Sequence, residues 1–200
     1  MPFAGPEKLP VLQRVLIDKT ITAAAAFTRP LPRESRNRAL MHGYVGDRRL
    51  RYMLLAPQRW LQLAAEHAAV IAPDFSMYDE MPSHQRLLSA WLSRACAAYF
   101  QHHGIKAIPN LRWTSTMELE VLLDGLPSRS CIAISTQSLL TKDGIARLSE
   151  GIEQMTERIE PAQFIIYGRL PGRLRAAIGN TADIINIPTD ISRAHNLAAT

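Results

Sequence analysis

The segment CIAISTQSLLTKDGIARLSEGIEQMTERIEPAQFIIYG (131–168) has the pattern of one strand, one helix and a second strand. Its ends, CIAIS (131–135) and FIIYG (164–168), are short Ile-rich apolar runs, as expected for strands that are covered on both faces. An apolar stripe with three- and four-residue spacing predicts the helix between them, and its members are Ile145, Leu148, Ile152, Met155 and Ile159. Two strands joined in this way pair in parallel through a right-handed crossover. The segment therefore predicts an α/β fold.

The same alternation of strand and helix patterns continues on both sides of this segment. Apolar runs of similar length occur at AAVIA (68–72), IKAIP (105–109) and DIINI (183–187). Helical periodicity fills residues 87–100, and Gly104 is typical of a residue just past a helix end. The predicted fold is therefore α/β with a mostly parallel sheet built from repeated βα units. Two arrangements fit this pattern, an incomplete TIM-barrel-like sheet and an open doubly wound sheet.

The chain before residue 68 is less regular. Residues 9–17 and 20–28 each fit a strand or a short helix, and the Pro- and Arg-rich residues 29–38 predict a loop. GYVGDRRLRYML (43–54) resembles one or two strands, and residues 57–67 resemble a helix with proline in its first turn. Because no linker stands out, we expect one domain over residues 1–200, which comprises an irregular part (1–42), an α/β core (43–190) and a tail (191–200).

The composition is that of an ordinary globular protein, with 47% hydrophobic and 20% charged residues. No apolar run approaches the ~20 residues that span a bilayer, and the N-terminus lacks a signal-peptide pattern. We therefore expect a cytoplasmic protein without a membrane partner. Cys96 and Cys131 lie in apolar patterns and are expected to be buried, unreactive thiols. The histidines lack the spacing of metal ligands, so we predict no metal site, and no motif identifies a cofactor.

Four motifs occur in a characteristic order: PDFSMYDEMP (73–82), GIKAIPNLRW (104–113), GLPSRSCIAIST (125–136) and EGIEQMTERIEPAQFIIYG (150–168). This series resembles a bacterial and phage family, domain-of-unknown-function family 4417, over roughly residues 43–190. The resemblance implies an α/β domain that occurs in phages and mobile elements. It implies no assigned activity.

Polar side chains follow the predicted strands, and the carboxyl ends of parallel strands form the ligand-binding edge of such folds. Asp74 is predicted as a catalytic base with Arg112 and Ser135 beside it, because a carboxylate among buried apolar residues gains base strength. The predicted ligand-binding residues are Ser76, Tyr78, Asn110, Trp113, Thr136, Tyr167, Arg169 and Arg173. The arginines predict a small anionic ligand. The pattern fits an enzyme and a binding domain equally.

Structural roles are the alternatives for these residues. Asp74 also fits a side chain that holds a turn, and Trp113 fits a packing aromatic. Asp79 and Glu80 fit the start of the helix that follows, with Ser83 as its N-cap. Arg169 and Arg173 also fit a solvated basic loop, since no nucleotide-binding glycine motif accompanies them.

The net charge of +5 and pI near 9.6 are compatible with a polyanionic partner. A nucleic-acid-binding face is predicted as an alternative function and comprises Arg29, Arg33, Arg36, Arg38, Arg48, Arg49 and Arg51. No helix-turn-helix, zinc-finger or RNA-recognition pattern accompanies these arginines, so a solvated basic face also fits. A further alternative is a module that acts on a host protein complex.

Overall fold

The computed structural model of the protein describes residues 1–193. The strands are β1 (Phe3–Ala4), β2 (Leu9–Pro10), β3 (Ala23–Ala26), β4 (Ala39–His42), β5 (Ala69–Ile71), β6 (Ala107–Ile108), β7 (Cys131–Ser135), β8 (Gln163–Tyr167) and β9 (Asp183–Ile187). The helices are α1 (Arg33–Arg36), α2 (Asp47–Leu55), α3 (Leu61–Ala65), α4 (Ser83–His102), α5 (Thr116–Leu122), α6 (Lys142–Ile159) and α7 (Gly172–Ile178). A 3₁₀ turn (Pro57–Trp60) precedes α3.

The parallel strands neighbour one another in chain order. β3 to β6 form one parallel sheet and β7 to β9 form another, and a parallel bridge between Asn110 and Ala133 joins the two. A doubly wound sheet reverses its strand order at a switch point, whereas a barrel keeps the chain order. The predicted mostly parallel α/β fold is therefore confirmed, with the strand order of a barrel. No hydrogen-bonded ladder joins β3 to β9 in residues 1–193, so the barrel is incomplete.

Strands β4 to β8 are buried on both faces, and their successive side chains point to opposite sides of the sheet. One face of each strand from β3 to β9 contributes to an inner apolar cluster, whose members include Ala24, Leu40, Ile71, Ile108, Ala133, Ile165 and Ile185. The alternate side chains, such as Met41, Val70 and Phe164, pack in an outer cluster with the helices. This double burial explains why the strands are continuous apolar runs rather than alternating ones.

Within the N-terminal part predicted to be irregular, residues 9–17 lie across the amino ends of β7 and β8. The backbone of Val15 donates to Ser130 Oγ at 3.0 Å. Ile17 and the Gln163 side chain exchange two hydrogen bonds of 2.9 Å. Val15 and Ile17 belong to the inner cluster, so this extended segment covers its lower end. Residues 9–17 thus contain only the two-residue strand β2, and the side chains of Ser130, Gln163 and Gln101 hold them in place.

The prediction of strands over residues 43–54 is wrong. The strand lies earlier, as β4, and residues 47–55 form α2. Leu50 and Met53 are buried and the neighbouring arginines are exposed, which is the spacing of an amphipathic helix. The remaining predicted strands and both long helices are present, and residues 20–28 contain strand β3.

Candidate functional site

The loop of residues 73–82 leaves β5, and its first carboxylate is held by residues that follow β6. Arg112 Nε donates to Asp74 Oδ1 at 3.1 Å, and Arg112 Nη2 donates to Asp74 Oδ2 at 2.6 Å. Asn110 Nδ2 donates to Asp74 Oδ1 at 2.8 Å. The side chains are only 11% exposed for Asp74 and 20% for Arg112. This bidentate pair fixes the carboxyl ends of two neighbouring strands relative to each other.

The hydrogen bonds continue from Asn110 toward the interior of the barrel. Tyr44 Oη donates to Asn110 Oδ1 at 2.9 Å. The Tyr44 ring stacks on the Tyr167 ring, with centroids 4.2 Å apart and planes at 14°. The backbone N–H of Tyr44 donates to His42 Nδ1 at 3.2 Å. Because Nδ1 accepts this bond, the proton of the neutral imidazole is on Nε2.

His42 and Tyr167 both reach the residue pair that follows β9. His42 Nε2 lies 3.3 Å from Asp190 Oδ1, and the backbone N–H of Asp190 donates to Tyr167 Oη at 3.1 Å. Arg193 also donates to Asp190 Oδ1. We name the connected set the strand-end network; its members are His42, Tyr44, Asp74, Asn110, Arg112, Tyr167 and Asp190. Every one of them belongs to, or follows, the carboxyl end of β4, β5, β6, β8 or β9.

The pKa shifts in the strand-end network fix its charge state. Burial raises the pKa of Tyr44 well above its ordinary value, and the nearby Asp74 charge acts in the same direction. Burial also raises the pKa of Tyr167 to about 12. Burial alone would raise the pKa of Asp190, but hydrogen bonds from His42 and Arg193 bring it below its ordinary value. Burial disfavours the Arg112 charge, yet Asp74 holds its pKa above the ordinary value. At neutral pH the network therefore holds neutral phenols and charged Asp190 and Arg112.

A second arginine lies beside the Asp74–Arg112 pair. Asp74, Arg112, Ser135 and Arg147 line one small cavity of about 10 Å³, close to the volume that a single water requires. Arg147, on α6, donates to both oxygens of Asp79 at 2.9 Å. The loop 73–82 therefore places one carboxylate on each of these two arginines. Asp79, which was predicted to favour the start of α4, is instead paired with Arg147 of α6.

Ser76 and Tyr78 face away from Asp74. The Ser76 hydroxyl and backbone N–H each lie 3.1 Å from Asp47 Oδ1, at the start of α2. Tyr78 is 59% exposed, and its hydroxyl donates to Ser76 Oγ at 3.4 Å. Ser83 is the first residue of α4 rather than its N-cap, since Pro82 occupies the cap position and cannot provide a side-chain acceptor.

The other predicted site residues have diverse surroundings. Trp113 is 4% exposed and packs against Gly151 of α6. Thr136 is buried and donates to the backbone carbonyl of Arg169 at 2.8 Å, which holds the loop after β8. The side chains of Arg169 and Arg173 are exposed and form no ion pair within the described chain.

Of the predicted site residues, the structure brings together Asp74, Asn110, Arg112, Ser135 and Tyr167. The sequence reasoning missed His42, Tyr44 and Arg147, and it named no role for Asp190. The first two were missed because residues 43–54 were assigned to strands. The apolar run ALMH before Gly43 was the available signal for β4. Arg147 had no local signal, because it lies on the charged side of α6 and its partner is distant in sequence.

Two other kinds of feature concern a metal site and a membrane-spanning helix. In residues 1–193, no group of three or more His, Cys, Asp or Glu side chains is placed to hold a metal ion. None of the helices in this range has the length and apolar character that a membrane crossing requires.

The fold and the strand-end network define an α/β protein with barrel-type strand order and a polar cluster at the carboxyl ends of its strands. The chain belongs to the family described as Domain of unknown function (DUF4417), which it matches over residues 2–184. The predicted family is therefore confirmed, and the match includes most of the irregular N-terminal part. No solved structure matches the chain.

Two phage proteins are similar to the chain. The Gene 1 protein of Mycobacterium phage L5 is 30% identical over 149 residues, which cover 73% of this chain and 65% of that protein. The Gene 1 protein of Mycobacterium phage D29 is 29% identical over 149 residues, which cover 73% of this chain and 55% of that protein. The chain thus spans less than two thirds of the length of these relatives.

Proposed function

We propose that the carboxyl ends of the strands bind a small anionic ligand that carries a phosphate or carboxylate group. The observation that carries this proposal is the convergence of side chains from five strand ends on one hydrogen-bonded network. Barrel-type folds bind their ligands at this edge. We retain the predicted cytoplasmic location. The proposal concerns this chain alone, because the chain matches only part of the length of its relatives.

Two arginines give the proposed site its preference for anions. Arg112, Arg147 and Ser135 line the same cavity, so three side chains with hydrogen-bond donors border a common space. Planar guanidinium groups bind phosphate and carboxylate oxygens in pairs. In the described structure the Arg112 guanidinium is paired with Asp74, and the Arg147 guanidinium is paired with Asp79. We propose that the Asp79 carboxylate stands where the ligand's oxygens bind.

The two ion pairs differ in how easily a ligand replaces them. The Asp79–Arg147 pair is 58% and 30% exposed, and exposed ion pairs contribute only about 0–1 kcal/mol. The Asp74–Arg112 pair is more buried and has Asn110 as a further donor. An entering anion therefore displaces Asp79 from Arg147, and the outer half of loop 73–82 moves to enlarge the cavity. Asp74 stays in place and positions Arg112.

Binding of inorganic phosphate and pyrophosphate, measured by calorimetry at constant ionic strength, tests this proposal. Arg147→Gln is expected to weaken binding ~10-fold, equivalent to about 1.4 kcal/mol. Asp79→Asn is expected to strengthen binding, because it removes the carboxylate that competes for Arg147. The matched controls are Arg158→Gln and Glu120→Gln, which break an exposed ion pair on α6 and α5 outside the site. Absence of saturable binding, or equal effects from both pairs of variants, contradicts the proposal.

The nucleic-acid alternative has less support from the contacts. Arg33 and Arg36 both pair with Glu66, so two of the predicted phosphate-binding arginines already have a carboxylate partner. Arg48, Arg49 and Arg51 are exposed on α2. The surface around these arginines also exposes apolar side chains, and these favour a partner other than nucleic acid.

A further inference from the structure

An apolar groove lies between α2, the 3₁₀ turn and the residues after β3. It has a volume of about 570 Å³, and its lining is mainly apolar. Phe27 and Trp60 meet edge to face at 4.8 Å and form its floor. We name it the α2 groove. It shares no lining residue with the cavity between Arg112 and Arg147, so it is independent of the proposed anion site.

The rim of the α2 groove exposes apolar side chains that the fold does not need. Leu50 and Met53 already supply the buried face of α2. Tyr52 and Leu55 point outward and are 62% and 81% exposed. Apolar area gains about 25 cal/mol per Å² when it is removed from water, so this rim and floor favour an apolar occupant. Thr28 adds a buried hydroxyl without a hydrogen-bond partner in the described chain.

The lining of the α2 groove is basic as well as apolar. Of the described residues that line the groove, two are arginines and none is acidic. Arg49 and Arg59 line the groove itself, and neither forms an ion pair with any residue in the range 1–193. The occupant of the groove must therefore be acidic as well as apolar.

We infer that the α2 groove docks an acidic segment of another protein, which inserts apolar side chains between Tyr52, Leu55 and Trp60. Its carboxylates pair with Arg49 and Arg59 at the rim. A nucleic acid can pair with the arginines, but its phosphates gain nothing from the apolar lining residues Leu55 and Ala56. An amphipathic acidic helix satisfies both the floor and the rim, as in other helix-in-groove complexes.

The test uses two labelled amphipathic peptides, one of leucine and glutamate and one of leucine and lysine, with binding measured by fluorescence anisotropy. The Leu/Glu peptide is expected to bind the full chain and the Leu/Lys peptide is not. Leu55→Asp and the double variant Arg49→Glu/Arg59→Glu are each expected to weaken binding by at least ~10-fold. The matched control is Leu88→Asp, because Leu88 is an exposed leucine of α4, at 55%. Circular dichroism melting confirms that each variant is folded.

Several outcomes overturn the inference. Equal binding of both peptides, or equal loss in Leu88→Asp and Leu55→Asp, means that the groove is not the docking site. Binding of a thymidine oligonucleotide that depends on Arg49 and Arg59 but not on Leu55 assigns the surface to nucleic acid. Concentration-dependent self-association that Leu55→Asp abolishes assigns the groove to a second copy of the chain.

Discussion

At the residue scale, the hydrogen bonds of Asp74 favour a positioning role over the predicted role of catalytic base. Its two oxygens accept three hydrogen bonds, from Arg112 and Asn110. A general base needs a free lone pair within reach of the substrate proton. These hydrogen bonds and the low exposure of Asp74 favour a role in which it orients Arg112 and joins the ends of β5 and β6.

The Asp74–Arg112 pair is expected to contribute to stability. Asp74→Asn leaves a largely buried guanidinium without its counter-charge, which costs about 2–3 kcal/mol of unfolding free energy. Arg112→Gln in the same chain removes the uncompensated charge and recovers part of this loss. Urea denaturation of both single variants and the double variant gives the coupling energy, expected to be at least ~1 kcal/mol. Additive losses in the double variant argue that the two side chains do not interact.

Both cysteines are expected to be unreactive in the folded protein. Burial raises the pKa of Cys96 to about 12 and raises that of Cys131 further above its ordinary value. The thiolate is the reactive form, so both thiols remain protonated and inaccessible near pH 8. A disulfide reagent added to the native protein should release no chromophore until denaturant is present. Rapid stoichiometric reaction of either cysteine without denaturant contradicts this burial.

At the element scale, α6 supports the site by close packing against Trp113. A Cβ placed on Gly151 lies 2.3 Å from the Trp113 ring, much closer than a real contact. Trp113 follows Arg112 directly, so the position of α6 also fixes the segment that carries the site arginine. The same helix carries Arg147, which pairs with Asp79. A single glycine thus allows one helix to contact both the ring and the loop 73–82.

Gly151→Ala is expected to destabilise the protein despite the higher helix propensity of alanine. Overpacking of a buried contact costs about 1–3 kcal/mol, whereas the propensity gain is at most about 1 kcal/mol. The control is Gly172→Ala at the start of α7, where a Cβ meets nothing within 4 Å. Thermal unfolding should show a lower Tm for Gly151→Ala and an unchanged or higher Tm for Gly172→Ala. The opposite order means that Trp113 moves freely.

The accuracy of the sequence-based predictions also differed between elements. The Ile-rich strands were predictable because their side chains are buried in the core. Helix α6 was predictable because one clear face of it is buried. α2 was predicted as a strand because its apolar residues are few and its arginines alternate with them over a short range. The contacts of Arg147 with Asp79 and of His42 with Asp190 join residues that are distant in sequence, so no local pattern could have predicted them.

At the scale of the whole molecule, the strand order places the residues of the strand-end network at the same end of the inner apolar cluster. The N-terminal segment covers the lower end of the inner cluster, and the strand-end network covers the upper end. The prediction of ligand-binding residues at the strand ends followed from the parallel pattern alone. The contacts among these residues depend on the barrel-type strand order. The sequence did not distinguish this order from that of a doubly wound sheet, so it could not predict which residues contact one another.

Acid is expected to destabilise the whole fold through its ion pairs. A hydrogen bond from Arg147 lowers the pKa of Asp79 below its ordinary value of 3.8. The pKa of Asp190 is also lowered, as described above. Groups with lowered folded-state pKa values contribute stability above their ordinary pKa, and this contribution is lost as the pH falls through the folded-state value. Tm should therefore be constant near neutral pH and fall below about pH 4. Asp79→Asn should reduce that fall, and an identical fall in the variant contradicts the assignment.

The most direct test of the central claim is a ¹H–¹⁵N NMR titration of the protein with inorganic phosphate at constant ionic strength. The proposed anion site predicts saturable shifts confined to loop 73–82, residues 110–113, residues 135–137 and the region of Arg147. Asp79→Asn should show the same shifts at lower phosphate concentrations. Shifts centred on the arginines of α2 or α7, or shifts that do not saturate, would contradict an anion site at the carboxyl ends of the strands.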